Sequence, residues 1–138
     1  MKQKLQCILL VDDDPATNFL HKMIMKRAGC AEKIVCVENG LRALEYLQTP
    51  EHGNHPQPDL ILLDINMPGM TGWEFLDRYK DLEAACRGVK VILMLTTQLD
   101  PADMEKARNI AEIDGFMHKP MTVEMLNELL RKHFEEYL

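Results

Sequence analysis

Hydrophobic residues along the chain fall into two alternating kinds of pattern. Short runs at Cys7 to Val11, Lys33 to Val37, Leu60 to Leu63, Val89 to Leu95 and Gly115 to His118 predict five β-strands. The first, third and fourth are continuously apolar, as strands are when helices cover both faces of a parallel sheet. Between them apolar residues recur at helical spacing: Phe19, Leu20, Met23 and Ile24; Ala43, Leu44 and Leu47; Phe75, Leu76 and Tyr79; Met104, Ala107 and Ile110; and Met125, Leu126, Leu129, Leu130 and Phe134. Each group predicts an amphipathic helix with its apolar stripe toward the sheet.

The helix ends carry their own signals. Asp14-Pro15 and Asp100-Pro101 each place a capping carboxylate before a proline whose missing amide proton costs nothing in a first turn. Thr71 with Glu74 forms a capping box, Asn39 and Thr122 cap the second and fifth helices, and Gly29 closes the first in a left-handed conformation. A β-strand followed by a helix, repeated five times with right-handed crossovers, folds into an α/β domain: an open parallel sheet with helices on both faces. The segment from Thr49 to Pro58, rich in proline, reads as an exposed loop, and its His52 and His55 as polar loop residues without a metal.

Composition narrows the function classes. At 138 residues the chain makes one domain with one sizeable core, and 46% hydrophobic with 28% charged residues excludes a disordered or fibrous chain. A formal charge of −6 repels a nucleic-acid backbone. Apolar runs such as Ile92 to Leu95 fall far short of the roughly 20 residues that span a bilayer. The basic start, Met1 to Leu5, leads into a short run ending at aspartates with no cleavage site, so no signal peptide is expected. Cys7, Cys30, Cys36 and Cys86 lack CxxC spacing and suit reduced thiols in the cytoplasm.

Ligands of open α/β sheets bind beyond the carboxyl ends of the strands. There the chain sets Asp12, Asp13 and Asp14 after the first strand, Asp64 at the third, Thr96 and Thr97 after the fourth, and Lys119-Pro120 after the fifth. With Asp14 used as a cap, Asp12, Asp13 and Asp64 bring negative charge together. Two such charges repel by roughly 4 kcal/mol at about 4 Å and an effective dielectric near ~20, so a divalent cation, a lysine, or both must balance them. Carboxylate oxygens without sulfur or imidazole favour Mg²⁺, whose remaining positions can accept a phosphoryl oxygen. One carboxylate can then act as nucleophile toward phosphorus, and Asp64 is the candidate, with the Asn66 carbonyl available to the metal and the Thr96 hydroxyl to a phosphoryl oxygen.

These residues, Leu10 to Pro15, Asp64 to Gly72, Leu95-Thr96 and Lys119-Pro120, resemble the receiver domain of two-component response regulators, and Asn39 to Leu44 is similar to its second helix. The resemblance covers nearly the whole chain and implies the flavodoxin-like strand order 2-1-3-4-5 of the chemotaxis receiver. It implies that Asp64 accepts phosphate from a histidine kinase or histidine phosphotransfer protein, catalysing its own phosphorylation and slow dephosphorylation. It implies Mg²⁺ held by Asp13, Asp64 and the Asn66 carbonyl, with Asp12 acting through water, and Lys119 as the balancing cation. Phosphorylation would draw in Thr96, turn Phe116 inward, and alter the face of the fourth helix, fifth strand and fifth helix for a downstream protein.

Thr97 departs from the small residue usual there, Phe116 lacks a tyrosine hydroxyl, and the Thr49 to Pro58 loop is long; Asn66 and Gln98 occupy positions that tune dephosphorylation. With residues 1–138 read as one receiver and no output domain, the chain is expected to be an adapter or phosphorelay intermediate, monomeric or weakly dimeric. The alternative is a receiver-fold binding module that works without phosphate, which would want a substituted phosphoacceptor. A flavodoxin-like carrier would want a hydroxyl- and glycine-rich first loop, and a phosphoaspartate hydrolase its nucleophile after the first strand. The stripe from Met125 to Tyr137 reads as the buried face of the last helix, while Met104 and Met121 are candidates for a partner surface.

Overall fold

The apolar runs pair in parallel and the amphipathic segments return across them. The computed structural model describes residues 4–50, 53–65, 67, 69–87, 90–95, 101–110, 113–118 and 121–134. Strands β1 (Leu5–Val11), β2 (Ala31–Val37), β3 (Leu60–Asp64), β4 (Lys90–Leu95) and β5 (Gly115–His118) alternate with helices α1 (Pro15–Ala28), α2 (Gly40–Gln48), α3 (Gly72–Tyr79), α4 (Pro101–Arg108) and α5 (Val123–His133). The sheet order is β2-β1-β3-β4-β5, every pair parallel, as the resemblance implies. β1 and β2 begin two residues earlier than the apolar runs, because Leu5 pairs with Ala31 although polar Gln6 and Glu32 follow them. A short 3-10 turn, Ala84–Cys86, has no counterpart in the periodicity.

Side-chain alternation sends each strand's residues to two cores. Leu9, Val11, Ile61, Leu63, Val91 and Leu93 meet α2, α3 and α4 residues such as Leu44, Phe75 and Ala107. Ile8, Leu10, Leu60, Leu62 and Ile92 meet Met25, Leu126 and Leu130 from α1 and α5. Four predicted caps hold: the side chains of Asp14, Asn39, Thr71 and Thr122 accept amide protons in the first turns, and Gly29 sits at φ 63°. Asp100, Val89, His52 and Tyr137 lie outside the described residues.

One helix presents a different face from the expected one. Phe19, predicted to point inward, is 69% exposed, and Leu20, Met23 and Ile24 are only half-buried. Asn18, His21 and Met25 face the sheet instead. The reason is hydrogen bonding: Asn18 Nδ2 donates to the carbonyls of Asp12 and Val37 at 2.9 and 3.3 Å, and His21 Nε2 accepts the Met121 amide proton at 3.1 Å. These bonds serve backbone groups of the interior, among them the Val37 carbonyl, which also accepts the Asp12 amide. The same bond removes Met121 from any partner surface, since it is buried against α1 and α5; the side chain of Met104 is outside the description.

On α5 the stripe is buried as expected at Leu126, Leu129, Leu130 and Phe134, with Met125 half-buried. The Thr49 to Pro58 loop is exposed at Thr49, Pro50, Gly53, Asn54 and Gln57, yet Pro58 is buried, and Gln57 Nε2 reaches the Ala84 carbonyl at 3.3 Å. Cys7, Cys30, Cys36 and Cys86 take part in no disulfide. Burial pushes the thiols of Cys30 and Cys36 above their usual value, against the backbone hydrogen bond and Lys4 at the first and against Lys22 and Lys26 at the second. Both therefore stay protonated and poorly nucleophilic. No helix among the described residues is long and apolar enough to cross a membrane.

Candidate functional site

Adjacent strands deliver the acids. β1 and β3 are neighbours in register, with Val11 beside Leu63, so the next residue on each, Asp12 and Asp64, emerges at the same sheet edge. Asp12 and Asp64 are 4% and 2% exposed, and Asp13 is exposed. One carboxylate oxygen from each lies within 4.8 Å of the others. Asp14, as the capping signal predicts, turns away: its Oδ1 accepts from Ala16 N at 3.0 Å and its Oδ2 from the Thr17 hydroxyl at 2.8 Å.

The tip of β1 is held from several sides. Asp12 Oδ1 accepts the Asp14 amide at 2.9 Å, the Asp12 amide donates to the Val37 carbonyl at 3.2 Å, and the Asp12 carbonyl accepts from Asn18. Beyond β3, the Gly72 amide donates to the Ile65 carbonyl at 2.8 Å and draws the start of α3 against the site. A Cβ at Gly72 would stand 2.8 Å from the Asp64 carbonyl oxygen and from Ile65 Cα, both backbone. Gly72→Ala is therefore expected to lower stability by about 1–3 kcal/mol in urea unfolding. Alanine ordinarily favours a helix by up to ~1 kcal/mol over glycine, so an unchanged or raised midpoint would contradict the close approach.

Three converging carboxylates are a hard-oxygen donor set that fits Mg²⁺, which these residues would hold directly or through a bound water. Thr96, Thr97, Gln98, Asn66, Lys119 and Pro120 lie outside the described residues. Phe116 on β5 points outward, 38% exposed.

The periodicity missed Asn18 and His21. Their signal was present in the spacing of Asn18, His21 and Met25 on one helical face, but two polar residues there read as solvent-facing. The side-chain oxygen of Asn18 is buried with no hydrogen-bond partner among the described residues.

This fold is shared with known proteins. The chain belongs to the response regulator receiver domain family, whose sequence profile matches residues 8–131. It is 34% identical over 128 residues to the two-component response regulator ARR17 of Arabidopsis thaliana, covering 88% of this chain and 80% of that one. It is 30% identical over 131 residues to the probable methanogenesis regulatory protein FilR2 of Methanothrix harundinacea, covering 95% and 83%. Against the response regulator ORR1 of Oryza sativa, 30% identical over 83% of this chain, it spans about half the relative's length, 49%.

Among solved structures, a two-component response regulator from Cytophaga hutchinsonii superposes with a TM-score of 0.78 at 33% identity, covering 96% of this chain and 99% of that one. The receiver domain of the Pseudomonas aeruginosa sensor histidine kinase PA1611 shares the fold at 21% identity and TM-score 0.74, covering 93% and 96%; it is described with a magnesium ion coordinated in its active site cleft.

Proposed function

We propose that this receiver domain accepts a phosphoryl group on Asp64 from a histidine kinase or histidine phosphotransfer protein and passes the state on through a protein-binding face. The observation that carries the reading is the convergence of Asp12, Asp13 and Asp64 at the ends of two adjacent strands. An Asp64 carboxylate oxygen forms a bond to phosphorus as the phosphorus–nitrogen bond of the phosphohistidine breaks, and the bonding pair leaves with the imidazole nitrogen. Asp13, Asp64 and the Asn66 carbonyl, with Asp12 through water, would hold Mg²⁺, which would supply positive charge to the transferred oxygens. Lys119 adds a second balancing charge, and the Thr96 hydroxyl donates to a phosphoryl oxygen. Later attack by water on phosphorus releases inorganic phosphate and restores the carboxylate.

The phosphorylated state draws Thr96 inward and lets Phe116 leave its outward position. The face formed by α4, β5 and α5 changes with it, including a groove of about 240 Å³ lined by Phe116, Met125, Leu129 and His133. A downstream protein reads that face, and residues 1–138 act as one receiver unit in the cytoplasm, monomeric or weakly dimeric. A phosphate-independent binding module is not favoured, because the acid group is intact.

Incubation with Mg²⁺ and acetyl phosphate is expected to add one phosphate by intact mass, absent after chelation. No adduct with active donor and folded protein would overturn the reading. A protein donor also needs a landing surface. The outward face of α1, where Phe19 and Met23 lie among Lys22, Lys26 and Arg27, begins one turn from Asp14. Phe19→Asp is expected to slow transfer from a histidine kinase by about tenfold, as loss of an aromatic anchor does, while the acetyl phosphate rate stays unchanged. Equal rates from the kinase would contradict this placement.

A further inference from the structure

His21 sits on α1 at a position where the sheet-facing side of a helix usually carries an apolar residue. It is 2% exposed, and its Nε2 accepts the amide proton of Met121, 100 residues further along the chain, at 3.1 Å. An accepting ring nitrogen carries no proton, so this bond belongs to the neutral imidazole. One turn earlier on the same face, Asn18 holds the carbonyl of Asp12 at 2.9 Å and that of Val37 at 3.3 Å. One buried polar face thus ties together the β1 tip, the end of β2 and the chain after β5.

Connectivity gives the Met121 bond its importance. β5 ends at His118, which pairs with Leu95 of β4. Only Lys119 and Pro120 separate that fixed residue from Met121. The Met121 amide is thus an anchor two residues past Lys119 in the chain.

We propose that His21 is a positioning residue for phosphoryl transfer: by accepting the Met121 amide it anchors the chain two residues past Lys119. This rests on the phosphoacceptor reading above. In this role His21 acts through the Met121 backbone amide. Asn18 serves the acid side of the site and His21 the lysine side. Losing His21 therefore slows transfer without loosening the metal-binding carboxylates.

The test compares the full chain with His21→Leu, which keeps bulk and removes the acceptor, and His21→Gln, whose side-chain oxygen can take the same amide proton. The readouts are the rate constant for phosphate uptake from acetyl phosphate at saturating Mg²⁺, Mg²⁺ affinity by calorimetry, and the unfolding midpoint. His21→Leu is expected to slow uptake by about tenfold, in keeping with the sensitivity of catalysis to small misplacements, with Mg²⁺ affinity unchanged. His21→Gln is expected to recover most of the rate. Equal rates for wild type and His21→Leu, or a parallel loss of Mg²⁺ affinity, or no recovery with glutamine, overturns the positioning role.

If His21→Leu does not fold, His21→Gln is read against hydrogen exchange at the Met121 amide. Protection retained together with near-wild-type uptake supports the role. Protection lost while uptake stays at the wild-type rate, or retained while uptake collapses, overturns it. A wild-type protein that takes up no phosphate marks failure of the phosphoacceptor reading itself, and the role of His21 falls with it.

Discussion

Asp64→Asn is expected to abolish phosphate uptake, by a factor on the order of 10³ or more, because it replaces the carboxylate proposed as the nucleophile with an amide of the same shape. The substitution leaves β3 in register, since Asp64 pairs with Met94 through the backbone and Leu60 to Leu63 remain buried. Asp14→Asn is the matched control. Asp14 is also an aspartate at the end of β1, but its oxygens are committed to Ala16 and Thr17 at the start of α1, and asparagine caps a helix as well as aspartate does. Its uptake should stay within about twofold of wild type, as a group outside the reacting centre requires. Equal loss in both variants would mean that the acids act through bulk charge, and uptake retained in Asp64→Asn would move the acceptor elsewhere.

Phe75→Ala is expected to lower stability by about 3–5 kcal/mol in urea unfolding. Phe75 is fully buried among residues of β1, β3 and α2, and its ring stacks on Tyr79 with centroids 5.6 Å apart and planes 23° from parallel. Removing it costs the transfer energy of a large side chain and opens a cavity next to the helix whose start closes the site. Against a typical total of roughly 5–15 kcal/mol, such a loss leaves a marginal protein. A drop below about 1 kcal/mol would mean that α2 and α3 collapse into the space, or that the ring is less enclosed than the structure shows.

Much of this architecture was legible in the residues themselves. Continuous apolar strands forecast a sheet covered on both sides, and the observed division of Leu9 and Val11 from Ile8 and Leu10 is that covering. Caps at Asp14, Asn39, Thr71 and Thr122 were legible because capping is local chemistry, settled by a side chain and an amide two or three residues away. The acid group was legible for a different reason: strand-end placement in an open sheet is a rule of topology, and Asp12 and Asp64 need only adjacent strands to meet.

What escaped depends on contacts distant in sequence. The apolar residues Phe19 and Met23 lie on the face of α1 away from the sheet, while Asn18 and His21 go inward to serve carbonyl and amide groups at Asp12, Val37 and Met121. A periodicity that weighs only hydrophobicity assigns those two faces the wrong way round. Met121 was misplaced for the same reason, since its burial follows from a bond to a histidine 100 residues away. The starts of β1 and β2 were missed because strand pairing between Leu5 and Ala31 tolerates polar neighbours.

The central claim is that Asp64 carries the phosphoryl group, and chemical trapping tests it most directly. Protein treated with Mg²⁺ and acetyl phosphate would be reduced with borohydride, which converts an acyl-phosphate-bearing aspartate to homoserine, and the modified residue located by peptide mass spectrometry. Homoserine at position 64, dependent on Mg²⁺ and donor, is the predicted result. Homoserine at Asp12 or Asp13, or at no residue while the protein remains folded and the donor active, would contradict the account.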